Sequence, residues 1–226
     1  MVLTRYVKKL SFGEKVSVIL LIGFLVVSIV VCLVWPTDTV SNYYTQSILN
    51  YNTEEYPLGS LFLEEIPLSA EVISFSNYYF HLFTENRDVY LELKFDTEED
   101  LRNYITAVED HIVSEKGWKS LDGKRVSLAN PYNSKYIDVF YDIAGLAKIG
   151  NIDEHFSYYE FAFDSEGKLN RVDGAYDVLS YSLDELIVIL TSNCGSYYAN
   201  DGYTPKYMSR FDVPETEASK RYIWFE

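Results

Sequence analysis

Cysteine is almost missing from this chain. Cys32 and Cys194 are the only two in 226 residues. Cys32 falls inside a long apolar run and Cys194 far beyond it, so no intrachain disulfide is available to staple the region after the run. About 160 residues can build a core without one. A lone Cys194 reads as a small buried side chain before it reads as a bridge between chains.

Histidine is scarce too. His81, His111 and His155 are isolated from one another, whereas a metal site needs clustered ligands. Neither HExxH, GxSxG, a Walker lysine loop nor a dinucleotide glycine fingerprint occurs. Ser165–Lys168 spells SxxK but sits in a turn pattern instead of at a helix start. The acids from Asp164 to Asp173 miss calcium-loop spacing. No catalytic residue, metal or cofactor is therefore expected. Sequons for N-glycosylation are absent as well, which fits a bacterial surface.

Positive charge is the third shortage. Between Trp35 and Arg87 there is no Lys or Arg, while Asp38, Glu54, Glu55, Glu64, Glu65, Glu71 and Glu85 accumulate. Of 19 basic residues four precede the apolar run, and of 34 acidic residues only Glu14 does, so the remainder carries a net charge of −18. Such a balance excludes nucleic acid, whose phosphates demand Lys and Arg. It equally disfavours anionic lipid head groups.

What the chain does have is Val16–Trp35, VSVILLIGFLVVSIVVCLVW, twenty residues without a charge. At helical rise they cover about 30 Å, the hydrocarbon thickness of a bilayer. The run exceeds a signal-peptide core and lacks a small-residue cleavage site. Val31 before Cys32 departs from the small residue that a lipoprotein signal requires. Arg5, Lys8, Lys9 and Lys15 precede the run, so the positive-inside rule places residues 1–15 in the cytoplasm and the bulk outside. The expected organisation is a basic tail (1–15), a single transmembrane helix (16–35) with the bilayer as its partner, a stalk (36–67) and an extracytoplasmic domain (68–226). Pro36, Pro57, Gly59 and Pro67 punctuate the stalk, with a short helix at Val40–Leu49 and a helical turn at Leu61–Glu65.

The fold class predicted for the domain is α+β, an antiparallel sheet with helices on one face. Glu71–Phe83 is rich in β-branched and aromatic residues. After the polar turn Thr84–Asp88, Val89, Leu91, Leu93 and Phe95 alternate with Tyr90, Glu92 and Lys94, the signature of a half-buried strand. Asp96–Asp100 starts a helix, in which Leu101, Tyr104, Ile105, Val108, Ile112 and Val113 recur at helical spacing up to Gly117. Strands follow at Tyr136–Ile143, Phe156–Phe163 and Leu169–Tyr181, the last two joined by the Asp164–Lys168 turn. Ser182 and Glu185 form a capping-box pattern ahead of apolar Leu183–Leu190, which predicts a second buried helix and a repeated strand-strand-helix unit. Arg221–Phe225 predicts a closing strand.

Tyrosine is abundant, with 21 residues. Strand neighbours point to opposite faces, so Tyr90 and Tyr158 are expected to face outward and to offer an interaction surface of ring area plus hydroxyl. The expected function is a membrane-anchored domain for interaction or sensing in the cell envelope, its partner an envelope protein or glycan. The alternative is a hydrolase-like envelope enzyme using Asp138, Asp142, Glu160 or Asp173, which requires carboxylates held face to face. By alternation Asp138 and Asp142 are expected on a solvated edge.

Overall fold

A computed structural model describes residues 12–34, 39–42, 59–81, 85–143, 156–166, 169–198, 205–211 and 220–225. The chain divides into two compact units, Met1–Thr37 and Asp38–Glu226. In the first, helix α1 (Phe12–Val34) runs for 23 residues. Its apolar side chains are exposed, Phe24 at 72% and Ile19 at 68%. Among the described side chains, which in α1 end at Val27, no helix is long and apolar enough to cross a membrane; the helical backbone itself continues to Val34. Most of the basic tail (residues 1–11) lies outside the described residues.

The second unit is α+β, a nine-stranded antiparallel sheet with few helices. Its strands are β1 (Thr39–Asn42), β2 (Ala70–His81), β3 (Glu85–Phe95), β4 (Arg125–Ala129), β5 (Ile137–Tyr141), β6 (Phe156–Phe163), β7 (Leu169–Ser182), β8 (Ile187–Tyr198) and β9 (Lys220–Trp224). They are ordered β1-β2-β3-β8-β7-β5-β4, and β6 pairs both β7 and β9. Strand β7 is long enough to hold two partners along one edge. Its first half pairs β6, Tyr158 opposite Ala175, and its second half pairs β5, Val139 opposite Leu179.

Helix α2 (Glu98–Lys116) matches its sequence signals closely. Thr97 caps it by accepting from the Asp100 N–H, and Gly117 closes it in the left-handed conformation that a side chain disfavours. Leu101, Tyr104, Val108 and Ile112 bury its inner face. They meet Val89, Leu91 and Leu93 of β3, Val188 and Leu190 of β8, Leu179 of β7 and Val139 of β5. This is the larger of two cores.

The smaller core occupies the other sheet face, where a solvated surface was expected. Tyr90, Phe140, Tyr176, Val178 and Ile189 pack there against Tyr207, Met208 and Phe211. These last residues belong to or flank a five-residue helix, α3 (Lys206–Arg210). Strand β3 is thus buried on both sides, and Asp138 and Asp142, predicted on a solvated edge, are 1% and 5% exposed.

Three further expectations are corrected. Leu183–Leu190 is no helix: residues 183–186 turn, and Ile187–Tyr198 forms β8 between β3 and β7. The Ser182–Glu185 bond does form, with the Glu185 N–H donating to Ser182 Oγ, but it closes a hairpin. A central strand covered on both faces reads as a continuous apolar run, indistinguishable by period from a buried helix, and the β-branched Ile-Val-Ile segment favours the strand. The strand-strand-helix unit therefore occurs once. Second, the stretch drawn as a stalk contributes to the domain. Leu61, Phe62 and Ile66 are buried in the larger core. Third, Val40–Asn42 is not helical but lies within β1, paired with β2; the rest of the expected Val40–Leu49 helix lies outside the described residues.

Candidate interaction site

The polar groups of the smaller core include Asp138, one of the acids suggested for catalysis. Asp138 of β5 accepts from Ser180 Oγ at 2.6 Å, from Tyr207 Oη at 2.7 Å and from Asn130 Nδ2 at 2.8 Å. A buried carboxylate needs such donors to offset its lost hydration. On β3, Asp88 accepts from Asn193 Nδ2 at 3.3 Å and from the Lys206 N–H at 3.1 Å. Also on β3, Glu92 accepts from Tyr90 Oη at 2.8 Å and pairs with Arg210 Nε at 3.4 Å. Arg210 Nη2 donates in turn to Tyr136 Oη, whose own hydroxyl donates to Glu185 Oε2. The bonds from Tyr136 and then Lys135 hold the Glu185 carboxyl below its ordinary pKa.

These contacts revise the expected surface. Tyr90 is 1% exposed and faces α3, not solvent. Burial, then the neighbouring Glu92 charge, pushes its hydroxyl well above the ordinary tyrosine pKa. Tyr158 lies on β6 between Ala175 and Tyr222, and its side chain is outside the described residues. Glu160 and Asp173 stand directly opposite each other on β6 and β7, with the Asp173 side chain likewise outside them. Asp142 instead pairs with Lys124 Nζ at 3.3 Å. Cys194, expected to be buried, is exposed on β8.

A groove lies on the opposite face, along one flank of α2. It has a volume of about 700 Å³ and runs between the helix and the segment that leads into β2. Leu63, Ile66, Pro67 and Leu68 form one wall, and Tyr104 and Ala107 form the other. Leu68 is fully exposed at the edge of this groove. Glu65, Asp100, Asn103 and Ser69 are its polar lining residues, and no basic side chain is among them. Thr97 Oγ1 donates to Asp100 Oδ2 at 2.7 Å, which orients that carboxylate at the start of the helix.

The other flank of α2 carries a smaller cavity of about 430 Å³, bordered by Arg102, Glu109 and Arg125. Its charges are satisfied internally: Arg102 pairs with Glu98, and Glu109 takes both Arg125 and the Tyr141 hydroxyl at 3.0 Å. Among the described residues no three His, Cys, Asp or Glu side chains are grouped to hold a metal ion.

Sequence reasoning did not locate the groove. Its signal was the apolar content of Leu61–Leu68 in a stretch otherwise read as solvated, together with small Ala107 one turn beyond Tyr104. Comparison with family models, with curated proteins and with solved structures returns no match.

Proposed function

We propose that this chain is a single-pass membrane protein that displays an acidic α+β domain outside the cytoplasm and binds a partner through the groove beside α2. The observation that carries the binding role is the groove itself. Its walls are apolar and surface-accessible, its size falls in the range of ligand sites, and Leu68 stands exposed on its edge. By contrast, Asp138 and Asp88 are buried and occupied by donors from neighbouring strands and α3. They hold the fold together.

Support for the anchor comes from α1, a helix of 23 residues without a charge after Lys15 and with exposed aliphatic side chains. Such a surface suits lipid, and the basic residues before it orient the chain. Cys194 supplies the test because it is exposed on β8. In a Cys32→Ser background, a membrane-impermeant maleimide added to intact cells should label Cys194. A cysteine placed at Ser11 should react only after permeabilisation. Labelling of Cys194 only in permeabilised cells would reverse the topology and remove the displayed domain from the proposal.

A further inference from the structure

We infer that the groove beside α2 receives a basic, apolar peptide segment of a protein partner, an inference that rests on reading the domain as a binding module. An apolar side chain of the segment enters between Pro67, Leu68 and Tyr104, and flanking Lys or Arg side chains meet Glu65 and Asp100. The walls decide the apolar anchor, since the aliphatic surface of Leu63, Ile66, Pro67 and Leu68 recognises another apolar group. The charges decide the flanks. Both ionisable groups lining the groove are acids, and exposed Glu64 and Glu99 extend the same sign beyond it. A chain of net charge −15 adds a field that draws a cationic segment in and repels an anionic lipid surface.

The volume fits this occupant. About 700 Å³ exceeds what one side chain fills and accommodates a short stretch of backbone with it. Tyr104 is 3% exposed and anchored in the core, so one wall is rigid. Binding to a preformed wall loses little conformational entropy.

The experiment uses the full chain in phosphatidylcholine nanodiscs, with empty nanodiscs as the lipid control and three labelled twelve-residue peptides. One alternates Lys pairs with Leu-Trp, one carries the same lysines with Gly and Ser, and one replaces every lysine by glutamate. The Lys/Leu-Trp peptide should bind tightest. Ala107→Trp, which fills the groove from an exposed helix position, should weaken it at least tenfold. Glu65→Gln with Asp100→Asn should weaken it several-fold and flatten its salt dependence. The Lys/Gly-Ser peptide should bind weakly and ignore Ala107→Trp. Circular dichroism confirms that each variant is folded. Equal affinity in Ala107→Trp and the parent would place the site elsewhere on the acidic surface and overturn this inference while the displayed-domain reading stands. Preference for the glutamate peptide, or binding of none of the three, would overturn the assigned occupant. The topology test separately decides whether the domain is displayed outside the cytoplasm.

Discussion

Tyr207 Oη donates to Asp138 Oδ2 at 2.7 Å, joining α3 to strand β5 through a carboxylate that is 1% exposed. Two more acids repeat the arrangement. The Lys206 N–H donates to Asp88, and Arg210 pairs with Glu92. A helix of five residues has no stability of its own. Its place on the sheet depends on these three attachments and on the rings of Tyr207 and Phe211, which stack edge-on at 5.1 Å. The acids of the second face therefore act as sockets for α3.

Removing one donor should show this. Tyr207→Phe keeps the ring but takes a donor from a buried carboxylate, and should destabilise the domain by about 1–3 kcal/mol. Tyr176 provides the internal control. It packs against Tyr207 at 5.6 Å, yet among the described residues its hydroxyl has no hydrogen-bond partner. Tyr176→Phe should be neutral or stabilising by up to about 1 kcal/mol, because it deletes an unsatisfied buried group. Urea denaturation of both variants checks the pair. Equal losses would show that ring packing, not the bond to Asp138, fastens α3.

Arg210 and Arg102 form a second contrast. Arg210 reaches Glu92, whose side chain is 9% exposed, and also donates to Tyr136. Arg210→Ala leaves Glu92 with Tyr90 as donor and should cost about 2–3 kcal/mol. The Arg102–Glu98 pair is more than half exposed at both ends. Arg102→Ala should change stability by less than about 0.5 kcal/mol. Melting curves at low and high salt separate them, since only the exposed pair is screened appreciably. A loss on Arg210→Ala no larger than that on Arg102→Ala would mean that the Arg210–Glu92 pair does not fasten α3.

How much of this was legible in sequence depends on whether the cause is local. Thr97, Gly117 and the spacing of Leu101, Tyr104, Val108 and Ile112 are local, and α2 formed where they placed it. Alternation also assigned Val89, Leu91 and Leu93 to one face of β3. It assigned Tyr90 and Asp138 to the other face of their strands, but period alone says nothing about whether that face is covered. The cover is α3, too short to show an apolar period and distant in the chain. Ile187–Leu190 is opaque for a related reason: β7 reaches it through a four-residue turn, but β3, which pairs its other edge, lies far off in sequence. The groove depends on Leu63–Leu68 meeting α2, a juxtaposition that neither segment encodes by itself.

Glycine at 195 is required by Asn86. Asn86 Nδ2 donates to the Ser196 carbonyl at 3.0 Å, and the Ser196 N–H donates back to Asn86 Oδ1 at 3.1 Å. Gly195 sits beneath this clasp at φ 142°, where an added Cβ would approach Asn86 Cα to 2.9 Å. Backbone cannot swing aside as a flexible side chain can. Gly195→Ala should therefore cost about 3 kcal/mol or more. Gly117→Ala, at φ 63° with open space around the new methyl, should cost only about 1 kcal/mol. Thermal unfolding of both variants measures the difference. Similar losses at the two sites would mean that β8 shifts to relieve the clash.

Asp177 should make stability fall as pH rises. It lies on β7 opposite Tyr141 and Ser192, and burial pushes its carboxyl up to about 6. The Ser192 hydrogen bond and the charges of Arg87 and Lys116 pull the other way without cancelling the effect. In the unfolded chain the same group titrates near 3.9. Below that pH it is protonated in both states and adds no penalty. From about pH 4 to 6 the unfolded chain releases a proton that the folded domain retains, so stability declines, and above 6 the loss is complete. The difference between about 3.9 and about 6 corresponds to about 3 kcal/mol. Asp177→Asn removes the titration, so the parent's stability relative to this variant should drop by that amount between pH 4 and 7. Urea denaturation across that range gives the difference curve. A parent that instead gained on the variant with rising pH would show that Arg87 and Lys116 stabilise the ionised carboxylate more than burial penalises it.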